Sequence, residues 1–287
     1  MEFNKTARLF VFTRQPFSFL MGNNNPVGVF DSGIGGLSVW REILKILPNE
    51  SIVYYADSKN CPYGQKSEET IISLAKRAVE FLLEKNAKLL VVACNTATAA
   101  AIDLLRSTYN IPFVGMEPAI KPAALNSKSG IIGVLATEGT FNGRLFNETK
   151  VKYAKDKDII IRTGHGLAEL VETGKENTPE AAALLRNYIQ PMLEKQADHI
   201  VLGCTHYPFL LPAIKKIVKD TAIILDPAPA VAKQTASRLK QHKLEASIEN
   251  RAFYHFYTNT NTEILKKRVQ ISTGTDNLNV NITSLKT

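Results

Sequence analysis

Leu89-Leu90-Val91-Val92-Ala93-Cys94-Asn95-Thr96-Ala97-Thr98 has a near-copy further along the chain, His199-Ile200-Val201-Leu202-Gly203-Cys204-Thr205-His206-Tyr207-Pro208. Each is a short apolar run that ends in a small residue, followed by a cysteine, small polar residues and then a helical pattern. Apolar runs of this length, rich in β-branched residues and without alternation, read as strands buried on both faces, as in a parallel sheet. Each cysteine then stands at the carboxyl end of a strand. Open α/β sheets bind ligands at that edge, where the following helix presents unpaired N–H groups.

A second pair of segments makes this a repeat. Pro26-Val27-Gly28-Val29-Phe30-Asp31-Ser32-Gly33-Ile34-Gly35-Gly36 precedes the first cysteine, and Gly130-Ile131-Ile132-Gly133-Val134-Leu135-Ala136-Thr137-Glu138-Gly139-Thr140 precedes the second, at a similar interval. The expectation is an α/β protein of two pseudo-symmetric lobes with mainly parallel sheets and a site in the cleft between them. The first lobe takes residues 26–118 plus 228–272 and the second residues 119–227. Residues 1–25 form an extension dispensable for folding, and residues 273–287, with Asn277-Leu278-Asn279-Val280-Asn281, a loose tail.

A chain of 287 residues, 45% of them hydrophobic, can bury a full core. The net charge of +8 invites a nucleic-acid reading, but the 35 basic residues are scattered, as in Lys266-Lys267-Arg268, so a solvated basic surface is expected. Three cysteines without a CxxC pair fit a reducing cytoplasm better than a disulfide framework. Cys61, in the turn-like Asn60-Cys61-Pro62-Tyr63-Gly64, reads as incidental. No apolar run reaches the roughly 18 residues of a membrane span. The stretch before Met21 has apolar clusters such as Phe17-Ser18-Phe19-Leu20 but neither a sustained apolar core nor a clear cleavage site for export.

Along the chain, strands are expected at Val27–Phe30, Ser51–Ala56, Ile111–Val114, Asp158–Arg162, Ile223–Leu225 and Phe253–Tyr257 besides the cysteine strands. Helices are expected from Leu37 to Leu47, about Ser67 to Lys85, Ala99 to Leu105, Leu167 to Glu172, Pro179 to Lys195 and Ala230 to Lys240, with a loop at Thr137–Thr140 followed by a helix through Leu145. The Gly-rich turn Asp31-Ser32-Gly33-Ile34-Gly35-Gly36 is not a nucleotide cradle: the spacing is not GxGxxG, no Walker lysine follows, and Asp31 would repel a phosphate. Its glycines would instead let the backbone approach a small zwitterion, with Asp31 and Ser32 offering an acceptor and a hydroxyl.

Buried cysteines are usually inert packing. These two are flanked by side chains suited to chemistry, Asn95 and Thr96 in one case and Thr205 and His206 in the other. A helix N-terminus or a neighbouring His lowers a thiol pKa, which opens roles as nucleophile, metal ligand or acid and base. A metal site would need further ligands in compatible positions, and the closely spaced Cys204 and His206 with Asp31 do not make a convincing set. A cysteine hydrolase needs one nucleophile, whereas the duplication supplies two equivalent thiols facing one cleft. One thiolate removing a proton from a carbon and one thiol returning it on the opposite face is what inversion of a stereocentre requires.

Six motifs occur in an order that resembles the bacterial glutamate racemases of the aspartate/glutamate racemase superfamily. They are Asp31-Ser32-Gly33-Ile34-Gly35-Gly36, Pro62-Tyr63-Gly64, Ala93-Cys94-Asn95-Thr96-Ala97-Thr98, Gly115-Met116-Glu117-Pro118-Ala119, Leu135-Ala136-Thr137-Glu138-Gly139-Thr140 and Gly203-Cys204-Thr205-His206-Tyr207-Pro208. The resemblance implies a cofactor-independent isomerase of glutamate, supplying the D-enantiomer for peptidoglycan synthesis, hence cell-wall biogenesis and cell shape. It implies Cys94 as the base toward D-glutamate and Cys204 as the base toward L-glutamate, with Asp31, His206 and Glu172 assisting proton transfer. Ser32, Pro62, Tyr63, Gly64, Asn95, Thr96, Thr137, Thr140 and Thr205, together with Asp31 and His206, would hold the substrate. Glutamate is the expected partner, with no metal, nucleic acid or membrane; a homodimer and regulation by a cell-wall precursor are further expectations.

One segment departs from the pattern. Where the family usually carries a Cys-Pro pair shortly before its acidic residue, this chain has Gly164-His165-Gly166-Leu167-Ala168-Glu169-Leu170-Val171-Glu172. Nor does any lysine stand out as a Schiff-base partner for pyridoxal phosphate. Aspartate racemase shares the two-thiol scheme but tends to carry Glu where His206 stands, so Thr205-His206-Tyr207-Pro208 favours glutamate; a non-catalytic binding protein would need no paired thiols.

Overall fold

A computed structural model describes residues 23–273 and 278–285. β1 (Val27–Asp31) leads into α1 (Leu37–Ile46), and β2 (Ile52–Ala56) into α2 (Glu68–Glu84) through two 3-10 turns. β3 (Leu89–Val92), α3 (Asn95–Thr108) and β4 (Phe113–Gly115) complete the first run. The second run contains α4 (Ile120–Asn126), β5 (Ile131–Ala136), α5 (Glu138–Phe141), α6 (Arg144–Tyr153), β6 (Asp158–Thr163), α7 (Leu167–Glu172), α8 (Pro179–Glu194), β7 (His199–Gly203), α9 (Leu211–Val218) and β8 (Ile223–Leu225). α10 (Ala228–His242), β9 (Tyr254–Thr258), α11 (Thr262–Thr273) and β10 (Val280–Ser284) follow.

The strands form two sheets, ordered β10-β9-β2-β1-β3-β4 and β6-β5-β7-β8, in which every pairing is parallel. The order β2-β1-β3-β4 in one sheet recurs as β6-β5-β7-β8 in the other, so the repeat seen in the residues is a repeat of topology. The first sheet has two more strands beyond β2. Parallel strands joined by helices are covered on both faces, which is why β1, β3 and β7 are buried throughout.

Alternation along the central strands sends side chains to opposite layers. Phe30, Leu90 and Val92 pack on Leu74, Ala78 and Leu82 of α2 and Ala101 and Leu105 of α3. Val27, Val29, Leu89 and Val91 face the other way, toward α1 and α10, where Trp40 meets Phe256 edge-on at 4.9 Å. In the second sheet Ile132, Val134 and Val201 lie against Ile120, Ala123 and Phe146, while Leu185, Ile189 and Met192 of α8 cover the other face. α2 starts where Ser67 Oγ accepts the Thr70 N–H, and α8 where Thr178 Oγ1 accepts that of Ala181 just before Pro179.

Several boundaries differ from expectation. α3 begins at Asn95 rather than Ala99, because Cys94 itself caps the helix and the small polar residues after it fill the first turn. Residues 137–140 are mostly the helical turn α5 rather than a loop. α4 and α11 carry no decisive sequence signal and were not expected. Residues 280–284 are not a loose tail but β10, paired with β9 from Val280 opposite Tyr254 to Ser284 opposite Thr258. Their side chains are mostly exposed, so no apolar pattern marks them; the free edge of β9 organises them. The extension through residue 22 lies outside the described residues. Among the described residues no helix is long and apolar enough to cross a membrane.

Candidate active site

Cys94 follows β3 directly and is the N-cap of α3. Its Sγ accepts the Ala97 N–H at 3.4 Å and lies 3.7 Å from Ser32 Oγ, so backbone and loop fix the thiol without a charged partner in contact. Burial and then the Asp31 charge push it up to about 12, against the smaller opposing pull of those two hydrogen bonds.

Cys204 occupies the equivalent place after β7, but the chain beyond it takes another course. Tyr207-Pro208-Phe209-Leu210 form a 3-10 turn before α9, and this sets His206 beside the thiol instead of within a helix. His206 Nδ1 is 3.6 Å from Cys204 Sγ, and its Nε2 is 2.6 Å from Glu172 Oε1. Glu172 Oε1 also accepts the Ile34 N–H at 2.7 Å, while Thr205 Oγ1 donates to Asp31 Oδ1 at 3.1 Å. Burial alone would lower the His206 pKa; the neighbouring Cys61 sulfur and the hydrogen bonds that the ring donates to Cys204, Cys61 and Glu172 outweigh it and raise it well above its ordinary value. Burial pushes the Cys61 thiol itself up to about 11. Burial opposes ionisation of Glu172 too, yet the hydrogen bonds from His206 and Ile34 keep its pKa below the ordinary value. Asp31 goes the other way, raised by complete burial despite His206 and the Gly33 N–H. Cys204, His206 and Glu172 thus form a hydrogen-bonded chain leading away from one thiol, with the chemistry to pass a proton along it.

Both thiols line one pocket with an empty volume of about 260 Å3. Ser32, Pro62, Tyr63, Gly64, Asn95, Thr96, Thr137, Thr205 and His206 line it as well. Thr96 Oγ1 lies 2.8 Å from Thr137 Oγ1, which lies 2.9 Å from Thr140 Oγ1, a chain of hydroxyls that crosses between the lobes. The Asn95 side chain is 3% exposed, and both its amide atoms lack a protein partner. An unpartnered buried amide is costly, and one on a pocket wall has the chemistry to receive a polar ligand.

Some expected residues stand behind the wall. Thr140 reaches the pocket only through Thr137, and Asp31 and Glu172 act through Thr205, His206 and the backbone. The Tyr63 hydroxyl is already engaged, donating to Asp57 at 2.5 Å. The glycine loop also has a different use from the one expected. A Cβ on Gly33 would overlap the Glu172 carboxylate, and one on Gly35 would fall 2.5 Å from His206 Nδ1 and 2.6 Å from Thr205 Oγ1. These glycines make room for the relay.

Cys61 lies beside the site, its Sγ 3.9 Å from His206 Nε2. Cys61 Sγ, Glu172 Oε1 and His206 Nε2 lie within 4.8 Å of one another, a donor set that zinc accepts. However, two ligands on one tetrahedral zinc stand about 3.3 Å apart, wider than the 2.6 Å between Nε2 and Oε1, and Oε1 already takes a second N–H. The spacing is that of a hydrogen-bonded relay. Nothing in sequence distinguishes Cys61 from a loop residue, because its neighbour His206 is far along the chain.

The molecule is thus a duplicated α/β protein with one strand-end thiol from each half on a shared pocket. The chain belongs to the Asp/Glu/Hydantoin racemase family, which it matches over residues 27–235. It is 49% identical over 223 residues to the glutamate racemase of Ectopseudomonas mendocina, covering 77% of this chain and 85% of that one. Among solved structures, a glutamate racemase isoform from Bacillus anthracis superposes with a TM-score of 0.80 at 31% identity, over 92% of this chain and 98% of the other. The Escherichia coli glutamate racemase, solved in complex with L-glutamate and the activator UDP-MurNAc-ala, gives 0.79 at 32% identity over 91% and 98%.

Proposed function

We propose that the chain interconverts L- and D-glutamate with Cys94 and Cys204 as paired acid and base on opposite faces of the α-carbon. The observation that carries this reading is the placement of both thiols on one pocket whose wall holds the unpartnered Asn95 amide. Toward D-glutamate, Cys204 as thiolate takes the α-proton of L-glutamate, and the Cys94 thiol delivers its proton to the other face. Cys204 ends protonated and Cys94 ends as thiolate, so the charge balances and no cofactor is consumed. His206 hands a proton to or takes one from Cys204 between turnovers, steadied by Glu172. Hydroxyls of Ser32, Thr96, Thr137 and Thr205 and the Asn95 amide bind the carboxylates and ammonium. His206 in place of a glutamate favours glutamate over aspartate.

The test is turnover in deuterium oxide. Early D-glutamate made from L-glutamate should carry α-deuterium while the remaining L-glutamate keeps protium, since each face exchanges through its own sulfur. Early deuterium in the recovered L-glutamate would overturn the two-base reading. Supply of D-glutamate to peptidoglycan is the physiological role we infer. A nucleotide-linked cell-wall precursor is then the expected effector, checked by assay with and without UDP-MurNAc-ala.

A further inference from the structure

Glu172 sits on the last residue of α7, a helix of the second lobe, while the helix that faces it, α11, packs on α1 of the first. Leu265 and Val269 bury the inner side of α11. Beside them Arg268, 6% exposed, reaches across to the second lobe. Its Nη1 donates to Glu176 Oε1 at 2.7 Å and its Nη2 to Glu176 Oε2, a bidentate pair, and Nη2 also donates to the Val171 carbonyl at 3.1 Å. The guanidinium lies 5.3 Å from the centroid of the Phe209 ring, on the 3-10 turn that follows His206.

A buried guanidinium is costly unless its donors are met, and here a carboxylate, a helix-end carbonyl and an aromatic face meet them. The Val171 carbonyl lies in the last turn of α7, where a cation is favoured, and takes the Arg268 Nη2 donor beside the Gly174 N–H at 3.1 Å. Val171 immediately precedes Glu172, and Phe209 lies in the turn that His206 caps, its N–H donating to the His206 carbonyl at 3.1 Å. One side chain thus touches the supports of both members of the Glu172–His206 pair and none of the reacting atoms.

We infer that Arg268 is a positioning residue, a latch from α11 that holds Glu172 and His206 in register and so governs proton transfer at Cys204 but not at Cys94. The direction of the effect rests on the cysteine roles proposed above. A displacement of about 1 Å in such a pair is enough to cost on the order of a hundredfold in rate.

Arg268→Met and Arg268→Lys test this, with Glu176→Gln as a milder variant should the first fold poorly. Rates are read from both enantiomers carrying protium or deuterium at the α-carbon, alongside thermal melts. Arg268→Met is expected to slow turnover by about ten- to a hundredfold, with partial recovery in Arg268→Lys. Its deuterium effect should grow with L-glutamate, where transfer to Cys204 becomes more limiting, and shrink with D-glutamate. In a Glu172→Gln background the same change should add little, since both act through one carboxylate. The mirror-image isotope pattern would keep the latch and reverse the cysteine roles. Unchanged isotope effects in both directions, with any loss tracking a lower melting temperature, would overturn it, as would a fully additive loss in the double variant.

Discussion

At the scale of single residues, the two thiols are alike in placement and unlike in surroundings. Cys94 is held by a helix N-terminus and Ser32, Cys204 by an imidazole and the carboxylate beyond it. Either Cys94→Ser or Cys204→Ser should cut racemisation by roughly 10²–10⁴-fold in both directions, the usual worth of a positioned acid or base, with an unchanged circular dichroism spectrum. Asn95→Ala should raise KM about tenfold by removing a hydrogen bond to a charged group. It should not lower the melting temperature, because the free protein loses only an unpartnered buried amide at a helical position. Glu172 makes a pH prediction. Its pKa lies below the ordinary 4.5, so its contribution to stability is complete above about that pH and is lost as pH falls through the lowered value. The stability gap between wild type and Glu172→Gln should thus be constant near neutral pH and narrow as pH falls below about 4.5 in urea titrations.

Elements explain why these residues meet. β1, β3 and β7 end at one pocket because parallel strands start and stop together, and each hands its next residues to a loop or helix at the same edge. α3 starts at once, whereas after β7 the Tyr207-Pro208 turn postpones the helix and turns His206 toward Cys204 and Glu172. β10 belongs to the same level. It adds a parallel strand to β9 with five paired positions but few buried side chains. Truncation after Thr273 should therefore cost about 1–3 kcal/mol, seen as a melting temperature lower by several degrees, and expose the β9 edge to self-association. An unchanged melting temperature would show that the strand is dispensable.

Across the whole molecule, the two lobes are tied where the chemistry lies. Ile34 to Glu172, Thr205 to Asp31, Ser38 to the Thr205 carbonyl, Thr96 to Thr137 and Arg268 to Glu176 all pass from one half to the other. The start of the described chain is anchored separately. The Asn23 N–H donates to the Glu245 carbonyl at 2.9 Å, and its own carbonyl accepts from Lys88 Nζ, a buried amine paired with Glu50 at 2.5 Å. Removal of residues 1–21 should accordingly leave expression, melting temperature and racemisation within about twofold of the full chain. Loss of folded protein would assign those residues a structural part.

By itself the sequence determined the architecture and the two sulfurs. Buried parallel strands must be written as continuous apolar runs, and a duplicated fold repeats its motifs at a fixed interval, so Leu89–Cys94 and His199–Cys204 announced both in linear order. Helix boundaries next to Cys94 and the β10 edge strand were hidden, because small polar first-turn residues and exposed strand residues carry no apolar period. Only the tertiary structure decided which thiol has the imidazole and carboxylate beside it, that Cys61 borders His206, that Gly33 and Gly35 make way for Glu172 and His206, that Thr140 meets the pocket through Thr137, and that the Tyr63 hydroxyl is taken by Asp57. Most of these are contacts between residues far apart in the chain, set by how the two sheets face each other, and no local pattern encodes that distance.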